Sequence, residues 1–338
     1  MGKLRVLLTW KPTDVELGVI KEGFPEECEI ILPGESKEDM LTAARNCDVI
    51  VGGLSRDLLD AASNLKLVHA LGHGIDFVLQ NNLQAELARR GIPVAKADPA
   101  AINISEFVIM AMIALSRRVF KLHEALAYHG DWSHAYRSGR MQGALGGELF
   151  NSTLGIISLG AIGKEIARRA RTFGMKIMAL QRTPKPEDKE EFGLEFLGEM
   201  DNMDYVLSSS RYIVLSLPLT HETRGLIGKQ AFDKMMQGSY LVNISRGPIV
   251  EEEALYDALK SGKLAGAALD VWCAEEEGRT SGYPTKWPIH DYNVIMTPHY
   301  SGATRESRIR AIETVGKNLH NLLGGKPLIH LANIQAGY

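Results

Sequence analysis

Three short segments carry side chains suited to moving a proton on a small anionic molecule. Asn243-Ile-Ser-Arg246-Gly247 supplies a guanidinium, Asp270-Val-Trp-Cys-Ala-Glu275 supplies carboxylates, and Thr297-Pro-His299 supplies an imidazole. An imidazolium gives up a proton near neutral pH more readily than any other side chain. A carboxylate beside it favours the charged ring and fixes which nitrogen carries hydrogen. A guanidinium meets a planar carboxylate and keto group with two parallel bonds and steadies charge developing on oxygen. Taken singly, each has a bland reading: a turn Arg-Gly, a satisfied surface His, a solvated acid run Glu275-Glu276-Glu277. Their joint occurrence, each after an apolar run, is what points to chemistry. Cys273, between Asp270 and Glu275, reads as a small apolar filler rather than a redox switch.

A fourth segment, Gly155-Ile-Ile-Ser-Leu-Gly160-Ala-Ile-Gly163, lies where an apolar run gives way to an amphipathic pattern. A dinucleotide-binding turn places Gly-x-Gly-x-x-Gly there, so that backbone N–H groups and the helix dipole meet the pyrophosphate. Ser158 stands at the first glycine position, Gly160 and Gly163 at the others. The next strand, Met175–Leu180, should end in an acid that holds the ribose 2′-hydroxyl. It ends instead in Gln181-Arg182-Thr183. A cation and two hydrogen-bonding groups in place of an acid point to a 2′-phosphate, hence NADP, with NAD the alternative.

These segments need a frame that brings strand ends together. Leu4–Trp10, Glu29–Leu32, Asp48–Gly53, Lys66–Leu71 and Pro93–Ala97 read as buried strands, with helical spacing over Glu38–Asn46, Arg56–Ser63 and Asn82–Arg90. A single long helix is predicted over Asn103–His129. A second alternating series follows: strands at Leu154–Leu159, Lys176–Leu180, Tyr212–Leu217, Tyr240–Ile244, Ala265–Val271 and Val294–Thr297, helices at Ile162–Phe173, Glu251–Ser261 and Thr304–Leu323. Alternation of this kind predicts an α/β fold of two Rossmann-like, doubly wound parallel-sheet domains. Ligands bind such sheets at the carboxyl ends of the strands, where the guanidinium, carboxylate and imidazole all fall.

In order and spacing, Thr153-Leu-Gly-Ile-Ile, Ser216-Leu-Pro-Leu-Thr, Asn243-Ile-Ser-Arg-Gly-Pro-Ile-Val, Ala268-Leu-Asp-Val-Trp and Thr297-Pro-His resemble the D-isomer-specific 2-hydroxyacid dehydrogenase family. The resemblance covers nearly the whole chain. It implies a nicotinamide-dependent oxidoreductase in which Arg246 grips the carboxylate and carbonyl oxygen of a small 2-keto acid, His299 is the acid/base and Glu275 orients and charges it. Gly72-His73-Gly74-Ile-Asp76 would offer backbone N–H groups to the substrate carboxylate, beside Leu54. Coenzyme contacts are expected at Leu159, Gly160, Ala161, Ile162, Gln181, Arg182, Thr183, Leu217, Pro218, Thr223, Ile244, Ser245, Arg246, Asp270 and His299. The dinucleotide domain, 103–305, would be inserted into a substrate domain made of 1–102 and 306–338, with the helices at 103–129 and 304–323 as the hinge. A homodimer joined through the dinucleotide domains is also implied. Formate dehydrogenases of this fold pair the histidine with Gln, which Glu275 argues against. The alternative from another class is a dinucleotide-sensing corepressor-like binding protein; no disordered or charged tail supports it. Trp132 or Tyr136 could join the pocket floor near Gly52–Ser55 and Leu71–Asp76.

Bulk properties narrow the field further. The 338 residues suffice for about two domains. A net charge of −3 gives no general attraction to nucleic acid or anionic membranes. Three scattered cysteines lack both disulfide-framework and metal-ligand spacing, so no metal is expected and a reducing, cytoplasmic setting fits. No apolar run approaches a membrane span.

Overall fold

The computed structural model describes residues 2–72, 74–97, 100–132 and 146–335. The chain divides into two compact units, Met1–Ala100 with Ala303–Tyr338, and Ala101–Gly302.

The first unit is built on strands β1 (Leu4–Leu8), β2 (Cys28–Ile31), β3 (Val49–Val51), β4 (Leu67–His69) and β5 (Val94–Ala95). All pair in parallel, in the order β2-β1-β3-β4-β5. Such sheets are covered on both faces, which is why Val49–Val51 and Leu67–His69 are wholly buried runs rather than alternating ones. The covering helices are α1 (Asp14–Gly23), α2 (Lys37–Ala44), α3 (Arg56–Ala61), α4 (Asp76–Gln80) and α5 (Gln84–Arg89), with the C-terminal helix Arg305–Leu323. Helix starts follow from local chemistry. Thr13 with Glu16, and Ser36 with Asp39, form reciprocal capping boxes, and Ser55 accepts from the Leu58 N–H.

The second unit contains α6 (Ala101–Arg117), α7 (Val119–His129), β6 (Thr153–Ile157), α8 (Ala161–Thr172), β7 (Lys176–Leu180), α9 (Pro186–Phe192), β8 (Phe196–Gly198), α10 (Met203–Ser209), β9 (Tyr212–Leu215), α11 (Lys229–Lys234), β10 (Ser239–Asn243), α12 (Glu252–Lys260), β11 (Leu264–Leu269) and β12 (Val294–Met296). Its seven strands run parallel in the order β12-β11-β10-β9-β6-β7-β8. The order reverses between β6 and β9, the kind of crevice where doubly wound sheets bind ligands.

The elements differ from the sequence reading in several places, and α1, α4, α9, α10 and α11 are helices that it did not anticipate. The long helix expected over Asn103–His129 is two helices, because Arg118 takes a left-handed conformation (φ 52°, ψ 38°). Val108, Ala111, Met112 and Leu115 of α6 are buried, whereas α7 has no buried residue. Apolar spacing continues past Arg118, so the sequence alone reads straight through the break. The edge strand β8 was not anticipated either; three residues, two of them half-buried, are too short a run to register. Tyr136 and His73 lie outside the described residues. No helix among the described residues is long and apolar enough to cross a membrane.

The first unit has a buried histidine that couples its two chain segments. The His69 Nδ1–H donates to the Ala70 carbonyl (2.9 Å), and Nε2 accepts from Asn318 Nδ2 (3.0 Å) on the C-terminal helix. Asn318 also bonds both the N–H (2.8 Å) and the carbonyl (3.0 Å) of Ile329. Burial, reinforced by the charge of His330, pulls His69 down to about 4. The unfolded chain takes this proton near pH 6.5 and the folded chain only near 4. The unfolded state therefore binds more protons between those values, and stability falls as pH drops through that window, by on the order of 3 kcal/mol in full. Urea unfolding at pH 7 and pH 4.5 should show a smaller pH-dependent loss in His69→Gln than in the parent. Equal losses would show that His69 titrates normally.

Candidate active site

The site is best built from β11 outward. Asp270 follows this strand and is fully buried. Its Oδ1 accepts from Thr297 Oγ1 (2.5 Å) and the Tyr300 N–H (2.7 Å), and its Oδ2 from the Ser301 N–H (2.9 Å). Its backbone carbonyl accepts from the His299 N–H (2.7 Å). The loop after β12 is thereby pinned from both sides. His299 itself sits in the left-handed region, φ 54°, which a non-glycine residue adopts only where its surroundings enforce it.

Two residues past Asp270, Trp272 begins a short turn, Cys273–Glu275. Glu275 Oε1 accepts from the Trp272 N–H (2.8 Å), and the Trp272 ring N–H donates to the Thr297 carbonyl (2.9 Å). Glu275 Oε2 lies 2.7 Å from His299 Nδ1. The carboxylate is thus held on one oxygen and engages the imidazole with the other, which leaves His299 Nε2 for a ligand. The hydrogen bond that His299 donates to Glu275 raises the His299 pKa above its ordinary value, against the opposing pull of burial. Burial works to raise Glu275, but the hydrogen bond and charge of His299 outweigh it and hold the carboxyl below its ordinary range. The Arg246 cation acts on both, favouring ionised Glu275 and opposing charge on His299.

Arg246 follows β10. The Asn243 side chain staples its loop, accepting from the Ser245 N–H (3.0 Å) and Oγ (2.7 Å) and donating to the Arg246 carbonyl (3.0 Å). Arg246 Nη1 donates to the Ser245 carbonyl (2.6 Å). Gly247 is required next to it, since a Cβ there would fall 2.1 Å from the Trp272 carbonyl carbon. That close approach brings the Arg246 loop against the Glu275 turn. Cys273 carries a thiol pushed up to about 12 by burial and by the Glu252 carboxylate, which keeps it protonated and unreactive.

The turn after β6 meets the needs of a dinucleotide. Gly160 precedes α8 as its cap with no side-chain cap bond, and open space lies where its Cβ would be. A Cβ on Gly163 would come within 2.6 Å of the Ser158 carbonyl, so glycine is what lets α8 pack against β6. Ala161 opens the helix, Leu159 and Ile162 are buried, and the Leu159 N–H donates to the Leu180 carbonyl (2.8 Å). At the end of β7 the Gln181 N–H donates to Gly198 (2.9 Å), and its Oε1 is buried without a partner. Arg182 and Thr183 beside it are exposed. An orphaned buried acceptor next to an exposed guanidinium fits a coenzyme ribose. Leu217, Ile244 and Ser245 are buried at neighbouring strand ends. Thr223 is engaged in its own turn, donating to the Pro218 carbonyl (2.8 Å). Asp270 was expected as a coenzyme contact, yet both carboxylate oxygens are engaged by the histidine loop.

In the first unit, Gly72 and Gly74 follow β4 and line a pocket with Thr9, Trp10 and Gly53. Leu54 is buried in the core.

Comparison with known proteins agrees with this geometry. The family described as D-isomer specific 2-hydroxyacid dehydrogenase, NAD binding domain, matches residues 109–301. A glyoxylate reductase of Thermococcus kodakarensis is 33% identical over 326 residues, covering 93% of this chain and 92% of that protein. A D-3-phosphoglycerate dehydrogenase of Methanocaldococcus jannaschii is 32% identical over 311 residues, 90% of this chain but 55% of its own length. Among solved structures, D-mandelate dehydrogenase from Rhodotorula graminis superposes with a TM-score of 0.80 at 27% identity, covering 98% of both chains. The chain belongs to the D-isomer specific 2-hydroxyacid dehydrogenase family.

Two outcomes follow from the site's geometry. Ser158 has φ 85°, a conformation glycine takes without strain. Ser158→Gly should raise stability by about 0.5–1 kcal/mol, read as a higher urea midpoint; a lower midpoint would show that the serine is not strained. Glu275→Gln removes the group that raises His299. If protonated His299 is needed, activity falls as pH rises through its pKa, and this limb should move to lower pH in the variant. An unmoved limb would assign it to another group.

Proposed function

We propose that the protein reduces a small 2-keto acid to the D-2-hydroxy acid, or runs the reverse, with a nicotinamide dinucleotide. The observation that carries this reading is the Glu275–His299 pair, 2.7 Å apart on the rim of a cavity. The coenzyme supplies the hydride. His299 gives the proton to the keto oxygen through Nε2 and becomes neutral, while Glu275, which favours the charged ring before transfer, stays ionised and keeps the Nδ1–H bond. Arg246 presents a fork to the carboxylate and keto group and stabilises charge on the oxygen. Gly72, Gly74 and the loop at Leu54 would bind the substrate carboxylate through backbone N–H groups, with 1–102 and 306–338 as the substrate domain.

For the coenzyme, Leu159, Gly160, Ala161 and Ile162 would hold the pyrophosphate on the amino end of α8. Leu217, Pro218 and Thr223 would flank the ribose, and Ile244, Ser245 and Asp270 the nicotinamide. Gln181, Arg182 and Thr183 favour NADP(H), because no acid repels a 2′-phosphate and a guanidinium can pair with it. A homodimer in the cytoplasm completes the reading. It is supported by the apolar side chains that α7 exposes, among them Phe120, Leu122, Leu126 and Tyr128.

The test is steady-state turnover of glyoxylate, hydroxypyruvate and larger 2-keto acids with NADPH and NADH. Turnover should appear, fall about 10²–10⁴-fold in His299→Ala, and favour NADPH by at least about tenfold in kcat/KM. Gln181→Asp with Arg182→Ala should erase that preference. Dinucleotide binding without turnover of any 2-keto acid would favour the sensing role, and equal use of both coenzymes would favour NAD.

A further inference from the structure

The cavity at the Glu275–His299 pair encloses about 440 Å³, within the range of small-molecule sites. One wall is apolar, formed by Trp272, Ala274, Pro284 and Met296. The segment Arg279-Thr280-Ser281 also lines the cavity, bracketed by Gly278 (φ 69°) and Gly282 (φ 78°), which turn the chain there. Arg279 Nε donates to Glu277 Oε2 (2.8 Å) and Nη1 to the Tyr283 carbonyl (3.3 Å). Nη2 has no partner among the described residues, nor have the hydroxyls of Thr280 and Ser281. The neighbouring cation differs: Arg224 spends its fork on both oxygens of Glu276, at 2.7 and 2.9 Å. The Glu277 carboxylate is 65% exposed, so its pair with Arg279 is weak and readily exchanged for a better anion.

We infer that Arg279, with Thr280 and Ser281, receives a second anionic group on the substrate, a phosphate ester or carboxylate at the end remote from the keto carbon. The inference rests on the function proposed above and names the substrate class for that site. The chemistry is that of a bidentate guanidinium flanked by two hydroxyl donors, a set that suits tetrahedral or planar oxyanions and has no use for a methyl or phenyl tail. The competing occupant is an apolar tail laid on Trp272 and Met296, and the two make opposite demands on Arg279.

The deciding measurement is kcat/KM for 3-phosphohydroxypyruvate, oxaloacetate, hydroxypyruvate and phenylpyruvate in the parent enzyme, Arg279→Gln and Glu277→Gln. The parent should prefer one anionic-tailed substrate over hydroxypyruvate by at least about tenfold, and which one wins separates phosphate from carboxylate. In Arg279→Gln that preference ratio should shrink by about 10–100-fold, through KM rather than kcat. In Glu277→Gln it should hold or grow, because the competing acid is gone. A parent enzyme that favours hydroxypyruvate or phenylpyruvate overturns this inference while leaving the proposed function intact. So does an Arg279→Gln variant that slows all four substrates equally, which would mark a structural role. Turnover of none of the four, nor of glyoxylate, would overturn both.

Discussion

The buried carboxylate of Asp270 is the constraint on which the site depends. A carboxylate with no exposure must have its lone pairs engaged, since an unpaired one costs several kcal/mol. Here three donors meet that need, and all come from the Thr297–Ser301 loop. The desolvation demand of one side chain therefore dictates the path of the loop that carries His299. It also explains how a histidine stays at φ 54°: its N–H is taken by the Asp270 carbonyl while its neighbours are held by the side chain. The constraint closes on itself through Trp272, whose backbone fixes Glu275 and whose ring N–H returns to Thr297. A ring of short contacts from β11 to β12 sets the imidazole's direction with little freedom left, which is the pre-organisation proton transfer needs.

The frame was legible in the sequence for a physical reason. Strands buried on both faces must be short apolar runs, and Val49–Val51 or Tyr212–Leu215 have no other reading once turns bracket them. Because every strand points the same way, the residues just past each run gather on one edge, so Arg246, Glu275 and His299 could be grouped before any contact was known. Spacing says which residues converge but not which lone pairs are already taken. Asp270 shares that edge, but spacing does not reveal that both of its carboxylate oxygens already accept from the Thr297–Ser301 loop. The break at Arg118 was hidden for a related reason: periodicity records apolar side chains, not whether anything covers them. Residues Arg279–Ser281 drew no reading of their own, because the acid run Glu275–Glu277 just before them dominates the segment. The paired glycines at 278 and 282 were the available signal of a shaped turn.

A net charge of −3 says little about how any one site in the chain meets a charged ligand, because the relevant field is local. Charges more than about 10 Å apart are largely screened at moderate salt, so a site feels its own first neighbours. Much of the positive charge elsewhere on the second unit is neutralised where it stands: Lys164 by buried Asp188 (2.7 Å), Lys229 by Asp233 (2.7 Å), Lys234 by Asp204 (2.7 Å) and Arg224 by Glu276. Arg279 is paired too, with Glu277 (2.8 Å), but that carboxylate is 65% exposed whereas Asp188 is buried, and the uncapped start of α8 adds backbone donors at the carboxyl edge of the sheet. In a chain of this net charge, where each cation sits and what it already pairs with, rather than the total, sets the field that a ligand meets.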